Sequence, residues 1–308
     1  RVIKMEKYDL IIVGAGPAGL TAGLYAARSG LKTAIVSKDI GGTTNSIHLL
    51  ENWPGFNGSG TELMKKFYNQ LKEYEISFIM NEVKKIEKKE NFFIVKTNKG
   101  ELKSTAIIIA VGTKRKRIDV NGEKELTGKG ISYCVTCDGF FFKGKTVAII
   151  GGSDCAAISA LALSDLAKKV FVIYRGEKLR CEDINSKRLE NKKNVEFLYN
   201  SVPIEIKGSD KVNGIVIENK NKKEEIKIDG VFIEIGAIPL VESLENLNLK
   251  LDKEKYIIVD EDMKTNVGGV FAAGDATNHK LKQVVVASGQ GAIAAKSAYE
   301  YISKNKIK

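Results

Sequence analysis

Two stretches of this chain share one pattern of apolar and polar positions. Residues 8–13 form an apolar strand, interrupted by Asp9, that runs into GAGPAG (Gly14 to Gly19). An Ala/Leu-rich segment of helical period continues to about Ser29, and after Gly30 a second apolar run occupies 32–36. Residues 145–150 repeat the plan. That run meets Gly151-Gly152-Ser153-Asp154-Cys155-Ala156, a helical segment reaches about Ala167, and another run spans 169–174. A short apolar run, a glycine turn, a helix and a second run make a β–turn–α–β unit. The pattern predicts an α/β chain with two Rossmann-like nucleotide-binding domains.

Further strands are expected at 92–97, 102–110, 195–198, 212–218, 224–228, 230–235, 256–259 and 270–272. Residues 284–301 have the helical period and carry Gly289, Gly291, Ala292, Ala294 and Ala295, small enough for close packing. The second unit reads as an insertion in the first. Its crossings are expected at 113–122 and 236–245, which contains Pro239, with boundaries near 116 and 243. This order makes 1–116 and 244–308 one domain, and 117–243 the inserted one.

Composition narrows the function. At 308 residues with 43% apolar content, the chain can bury two cores. Abundant Gly (29) with scarce Pro (4) fits α/β units with tight turns. No apolar run is long enough for a membrane span. The charged start runs directly into a strand, unlike a signal peptide, so a cytoplasmic protein is expected. The net charge of +11 comes mostly from lysines alternating with Glu, as in 84–90, which reads as a solvated surface. Neither zinc-finger spacing nor an aromatic-basic RNA motif is present, so nucleic acid is not an expected partner.

GAGPAG follows a strand and opens a helix. Gly14 permits the turn, Gly16 lets backbone approach a pyrophosphate, and Gly19 lets the helix pack on the sheet; Pro17 and Ala18 start the helix. The next strand ends in Ser37-Lys38, with no acidic residue for a ribose, leaving Ser37 as a weak substitute. Residues 107–113 end a strand in small residues, including Ala110 and Gly112. Near the C-terminus 268–276 reads GGVFAAGDA, whose Gly274-Asp275 puts a carboxylate beside a helix start. Together, in this order, the three pieces point to FAD.

Cys134-Val135-Thr136-Cys137-Asp138 lies just before the second glycine unit. A C-x-x-C outside a secreted framework is redox-active or metal-binding. The chain has two further, separate cysteines and only two histidines, so four zinc ligands are not expected, nor any other metal. A redox pair needs an attacking thiolate and a resolving thiol. Asp138 fits a proton shuttle or, equally, a helix cap.

With these residues in place, the sequence resembles the low-molecular-weight thioredoxin reductases over nearly its whole length. The matching pieces are GAGPAG, Gly41-Gly42, Glu51-Asn52-Trp53-Pro54-Gly55, Cys134 through Phe141, Phe271 through Asp275, and Lys282-Gln283-Val284 through Gly291. The cysteine block is highly specific; the glycine motifs are shared with many flavoproteins. The resemblance implies a homodimer with non-covalent FAD, contacted by Asn52, Asp275 and Gln283. It implies that Cys137 takes electrons from the flavin, Cys134 attacks a thioredoxin disulfide and Asp138 moves the protons. It also implies a swinging inserted domain hinged at the crossings.

The second glycine motif departs from that family. Relatives using NADPH carry Gly-x-Gly-x-x-Ala, where this chain has Ser153 at the second Gly and Asp154 beside it; both oppose a phosphate. The family's His-Arg-Arg with a further Arg is here Tyr174-Arg175-Gly176 and Arg180, so one bidentate phosphate donor is lost. Departures at these motifs mark relatives that take electrons from ferredoxin. Ferredoxins are usually acidic, and the +11 charge and Lys114-Arg115-Lys116-Arg117 suit one. The expected donor is therefore ferredoxin ahead of NADPH. The alternatives are a dithiol oxidase, in which His279 would be a base although it reads first as a loop residue bonding locally, and a flavin-binding regulatory or scaffold protein without turnover, which the intact cysteine block opposes. Cys155 and Cys181 read as packing cysteines.

Overall fold

The structure is a computed structural model that describes residues 6–47 and 50–306, without the side chains of Glu51, Thr136, Cys137 and Lys306. Along the chain, β1 (Glu6–Val13), α1 (Pro17–Arg28), β2 (Thr33–Ser37), α2 (Gly60–Leu71), β3 (Ile76–Met80), β4 (Val83–Lys88), β5 (Phe93–Thr97) and β6 (Gly100–Ile109) come first. Then follow β7 (Ile131–Ser132), α3 (Val135–Asp138), β8 (Thr146–Ile150), α4 (Asp154–Ser164), β9 (Lys169–Ile173), α5 (Asp183–Glu190), β10 (Val195–Leu198), β11 (Ser201–Gly208), β12 (Val212–Asn219), β13 (Lys222–Ile226) and β14 (Gly230–Ile233). The chain closes with β15 (Val270–Ala272) and α6 (Val284–Lys306). Its contacts divide it into two compact units, Arg1–Lys114 with Ile238–Lys308, and Arg115–Ala237. The second is inserted in the first.

In the first unit the strands run in the order β3-β2-β1-β6-β5-β4, with β15 also beside β6. β3, β2, β1, β6 and β15 are parallel, while β5 and β4 form an antiparallel flank. Leu10, Ile11 and Ile12 of β1 and Ile107, Ile108 and Ile109 of β6 are fully buried, because helices cover one face and the 241–270 chain helps cover the other. The register pairs Val13 with both Val36 and Ile109, and Ile109 with Ala272. The residues that follow (Gly14, Ser37, Ala110 and Ala273, with Gly274 next) therefore emerge at one carboxyl edge of the sheet, where α/β folds build their sites.

The inserted unit has a five-stranded parallel sheet in the order β7-β14-β8-β9-β10, and a three-stranded antiparallel sheet β11-β12-β13. Here too the register lines up strand ends, pairing Ile150 with Ile173 and Ile233.

Three elements differ from the sequence reading. Residues 256–259 form no continuous strand: only Ile257 pairs, in isolated bridges to Leu251 and Thr277. The lysine-rich 83–88 stretch is a strand whose Val83 and Ile86 are buried, although its lysines face solvent. Helix α2, which the sequence reading does not include, starts in a capping box, Ser59 accepting from the Glu62 N–H and Glu62 accepting from the Ser59 N–H.

Candidate active site

The first glycine loop is built by close approach. Gly14 has φ of 108°, and a Cβ there would lie 2.2 Å from the Ala110 carbonyl oxygen. A Cβ on Gly19 would lie 1.9 Å from the Gly14 oxygen, so only glycine lets α1 sit this tightly on the β1 and β6 ends. Ala110 donates its N–H to Val13 O at 2.8 Å, which fixes the third side of the turn. Gly16 is different. A Cβ there would meet nothing nearer than the Gly41 oxygen at 3.9 Å, so this side of the loop faces open space.

Gly16 is the N-cap of α1, Pro17 opens the helix, and no side chain caps it. The first-turn N–H groups thus offer an anion the positive end of the helix. Gly41 donates to Ala15 O at 2.7 Å and Gly42 donates to Asp39 at 2.9 Å, which brings the 41–42 turn against Gly16.

The rest of the predicted set gathers in the same unit. Gly274 donates its N–H to Gln290 Oε1 at 2.8 Å and lies against Ala18. Asp275 follows, ahead of α6. Asn52 donates its side-chain amide to Gln283 Oε1 at 2.8 Å, joining two positions 231 residues apart just before Val284 opens α6. Gly112 has φ of 68° and open space where a side chain would be. Ser37 ends β2, and its carbonyl accepts from the Asn81 N–H at 2.9 Å. An uncapped helix start, an open glycine, a carboxylate and two exposed amides fit a dinucleotide with a polar ring system.

In the inserted unit, α3 carries the cysteine motif. Cys134 is disulfide-bonded, while Cys155 and Cys181 are free. The side chain of Cys137 lies outside the described residues. Ser132, which the sequence reading passed over, organises this site. Its hydroxyl donates to Asp138 Oδ2 at 2.6 Å and accepts the Cys134 N–H at 3.0 Å. One buried hydroxyl therefore sets the carboxylate against the backbone of the first cysteine. Asp138 is thus a partner of Ser132 and not a cap of the next turn, where it makes no side-chain capping bond. The signal for Ser132 was its place two residues before Cys134, at the end of a strand.

Tyr133 donates to Glu123 Oε1 at 2.6 Å, and Glu123 accepts the N–H groups of Ile118 and Asp119. Burial, and then this bond to a carboxylate, push the Tyr133 hydroxyl above its usual pKa. On the far side, Phe142 packs edge-on against Phe232 at 5.1 Å and over Gly230, holding the segment after the motif to β14. Between these anchors Phe140 and Phe141 stand 71% and 70% exposed.

The second glycine loop carries Ser153 where the first has the open Gly16. A Cβ on Gly152 would lie 2.4 Å from the Tyr174 ring, and one on Gly176 would lie 2.6 Å from the same ring. Tyr174 is itself buried between the two glycines. Arg180 donates its N–H to Gly152 O at 2.6 Å, and Ser153 and Arg180 pair as an isolated bridge. Asp154 was read as a charge set against a phosphate. Its carboxylate instead accepts the Glu182 N–H at 2.8 Å and the Asn185 amide at 3.2 Å, so it anchors the start of α5. The segment 174–182 thus lies across the loop mouth.

Cys181 packs half-buried against the core of the inserted unit, but Cys155, expected as a packing cysteine, is exposed at the start of α4; loss of hydration beside the protein, and then nearby carboxylates, push both thiols above their ordinary pKa, so neither is an activated thiolate. The His279 ring bonds locally to the Leu281 backbone. His48 lies outside the described residues. Among the described residues, no group of three or more His, Cys, Asp or Glu is placed to hold a metal. Among them, too, no helix is long and apolar enough to cross a membrane.

Two Rossmann-like units in one chain, one carrying a redox cysteine motif, define the pyridine nucleotide-disulphide oxidoreductase class, and that family's model matches residues 8–291. The chain is 39% identical over 302 residues to the thioredoxin reductase of Bacillus subtilis, covering 96% of this chain and 95% of that protein. Its structure is similar to that of Lactococcus lactis thioredoxin reductase, with a TM-score of 0.86, 35% identity, and coverage of 96% and 99%. It is also similar to a ferredoxin-flavin thioredoxin reductase from Clostridium acetobutylicum, with a TM-score of 0.56, 35% identity, and coverage of 99% and 100%. The chain belongs to the thioredoxin reductase family and is an oxidoreductase.

Proposed function

We propose that this protein is an FAD-dependent thioredoxin reductase whose electrons come from reduced ferredoxin. FAD is assigned to the first unit, with Gly14, Gly16 and Gly19, the 41–42 turn, Asn52, Asp275 and Gln283 as its contacts. When bound, FAD receives electrons from the donor and delivers them as a pair to a disulfide.

The chain's own part is thiol exchange. After reduction of the Cys134–Cys137 pair, the Cys134 thiolate attacks one sulfur of thioredoxin. A Cys134–thioredoxin bond forms, and the other thioredoxin sulfur leaves as a thiolate. Cys137 then attacks the Cys134 sulfur, re-forming the pair and releasing reduced thioredoxin. Two electrons pass, and Asp138, held by Ser132, moves the protons. The exposed Phe140 and Phe141, directly after the motif, suit an apolar protein partner.

The single observation carrying the choice of donor is Ser153, which stands where an open loop has the glycine that a pyrophosphate approaches and is paired there with Arg180. A one-electron protein donor needs no such loop. The rival reading, NADPH, is favoured by Arg175 and Arg180, two of the three arginines of the family's phosphate motif. An anaerobic titration of the flavin absorbance decides. Bleaching by reduced ferredoxin and not by NADPH is expected; prompt bleaching by NADPH overturns the donor assignment.

A further inference from the structure

Lys282 is half-buried immediately before Gln283 and is held from two sides. Its ammonium lies 4.1 Å from the centre of the Tyr256 ring and donates to the Thr277 carbonyl oxygen. Thr277 in turn sits in the turn after Asp275, where its N–H and hydroxyl both bond to Gly274 O, at 3.0 and 2.9 Å. The ring comes from another segment, 251–257, whose Ile257 donates its N–H to Ala276 O at 2.9 Å. One cation therefore ties together the whole loop that presents both Asp275 and Gln283. The charged groups facing it are Asp275, Asp252 and Glu254, with the Tyr256 hydroxyl among the same carboxylates.

We propose that Lys282 is the positioning residue of the Asp275–Gln283 loop and governs how tightly FAD is held; this rests on the assignment of FAD to the first unit. A neutral side chain of the same length would keep the packing on Tyr256 but release the Thr277 oxygen and leave the carboxylates unbalanced. Partial burial lowers the Lys282 pKa from its usual value, opposed by Asp275. The charge is present at neutral pH and is lost, as pH rises, earlier than from an exposed lysine. Affinity that depends on the charged form therefore falls over that range.

The test is FAD titration of the apoprotein by flavin fluorescence from neutral to alkaline pH. Lys282→Met is expected to weaken FAD binding about tenfold at neutral pH and to remove the alkaline decline. Lys282→Arg, which keeps its charge throughout, is expected to bind within about threefold of wild type with no decline. Tyr256→Phe keeps the ring but cannot ionise; it should retain the wild-type decline, which assigns the titration to Lys282. Wild-type affinity and an unchanged alkaline decline in either lysine variant would overturn the proposal. If Lys282→Met does not fold, the arginine and phenylalanine variants still decide it. A wild-type apoprotein that binds no FAD at any pH would instead defeat the cofactor assignment.

Discussion

The two glycine loops begin alike and end in opposite states. In both, a parallel strand runs into a glycine at positive φ, 108° at Gly14 and 151° at Gly151, and a helix follows. In both, the helix start has no side-chain cap. The first leaves Gly16 facing open space. The second has Ser153 at the position of Gly16, paired with Arg180, whose N–H is held by the Gly152 carbonyl. On the proposed reading the motif alone does not make a dinucleotide site, and the chain beside its mouth decides. The departures at Tyr174 and Gly176 also form one feature and not two, because the ring occupies the space that any side chain at 176 needs.

The comparison can be broken most severely at the cysteines. Cys134→Ser should lower thioredoxin turnover at least about 1,000-fold while the bound flavin is still bleached by its donor, as followed by absorbance and a thioredoxin assay. Undiminished turnover would remove Cys134 from its role. Next come the loops themselves. Gly14→Ala puts a methyl into the Ala110 carbonyl at a backbone angle that alanine avoids, and should cost about 3 kcal/mol or more and abolish FAD retention. Gly152→Ala meets a ring that can shift, and should cost about 1–3 kcal/mol while FAD content is kept. Thermal melts and flavin content separate the two; equal loss of flavin would mean that the loops are not functionally distinct.

A third change sharpens the contrast by opening the closed loop. Ser153→Gly with Gly176→Arg alone leaves the new arginine against the Tyr174 ring, so Tyr174→His is needed with them. The triple variant should bind NADPH about tenfold more tightly than wild type, through one restored bidentate phosphate contact. No gain would show that the closure extends beyond Tyr174. The smallest effect is expected at Ser132. Ser132→Ala leaves the Cys134 N–H and Asp138 without their shared partner, and should slow turnover about three- to tenfold with FAD content unchanged.

Much of this was legible beforehand, for identifiable reasons. The β1–α1–β2 and β8–α4–β9 units announce themselves because strands buried on both faces need apolar runs, and because Gly14 and Gly19 serve contacts that no side chain permits. The proposed cofactor set was read as separate pieces, and chain register brings Gly14, Ser37, Ala110 and Gly274 to one edge. β4 was obscured because lysines mask a strand with only one buried face, and its two inward residues, Val83 and Ile86, are too few to stand out. The 256–259 run misled because its apolar residues serve a loop held by single bridges. Ser132 was invisible as a functional residue, and Tyr174 was legible only as a departure from the family motif, for a different reason. A hydroxyl and a ring acquire their roles only from what stands across from them, which is Asp138 in one case and two glycines in the other.

The bonds around the cysteine motif carry one more consequence. Glu123, buried with a relative exposure of 2%, joins Ile118 and Asp119 to Tyr133, while Phe142 rests on Gly230 and Phe232 behind the motif. Every one of these partners belongs to residues 115–237. The redox element is thus a self-contained cassette. Its shape is specified by the stretch of gene that encodes it, so recombination could exchange it, or mutation could change the electron source around it, without the cysteines having to be re-fitted.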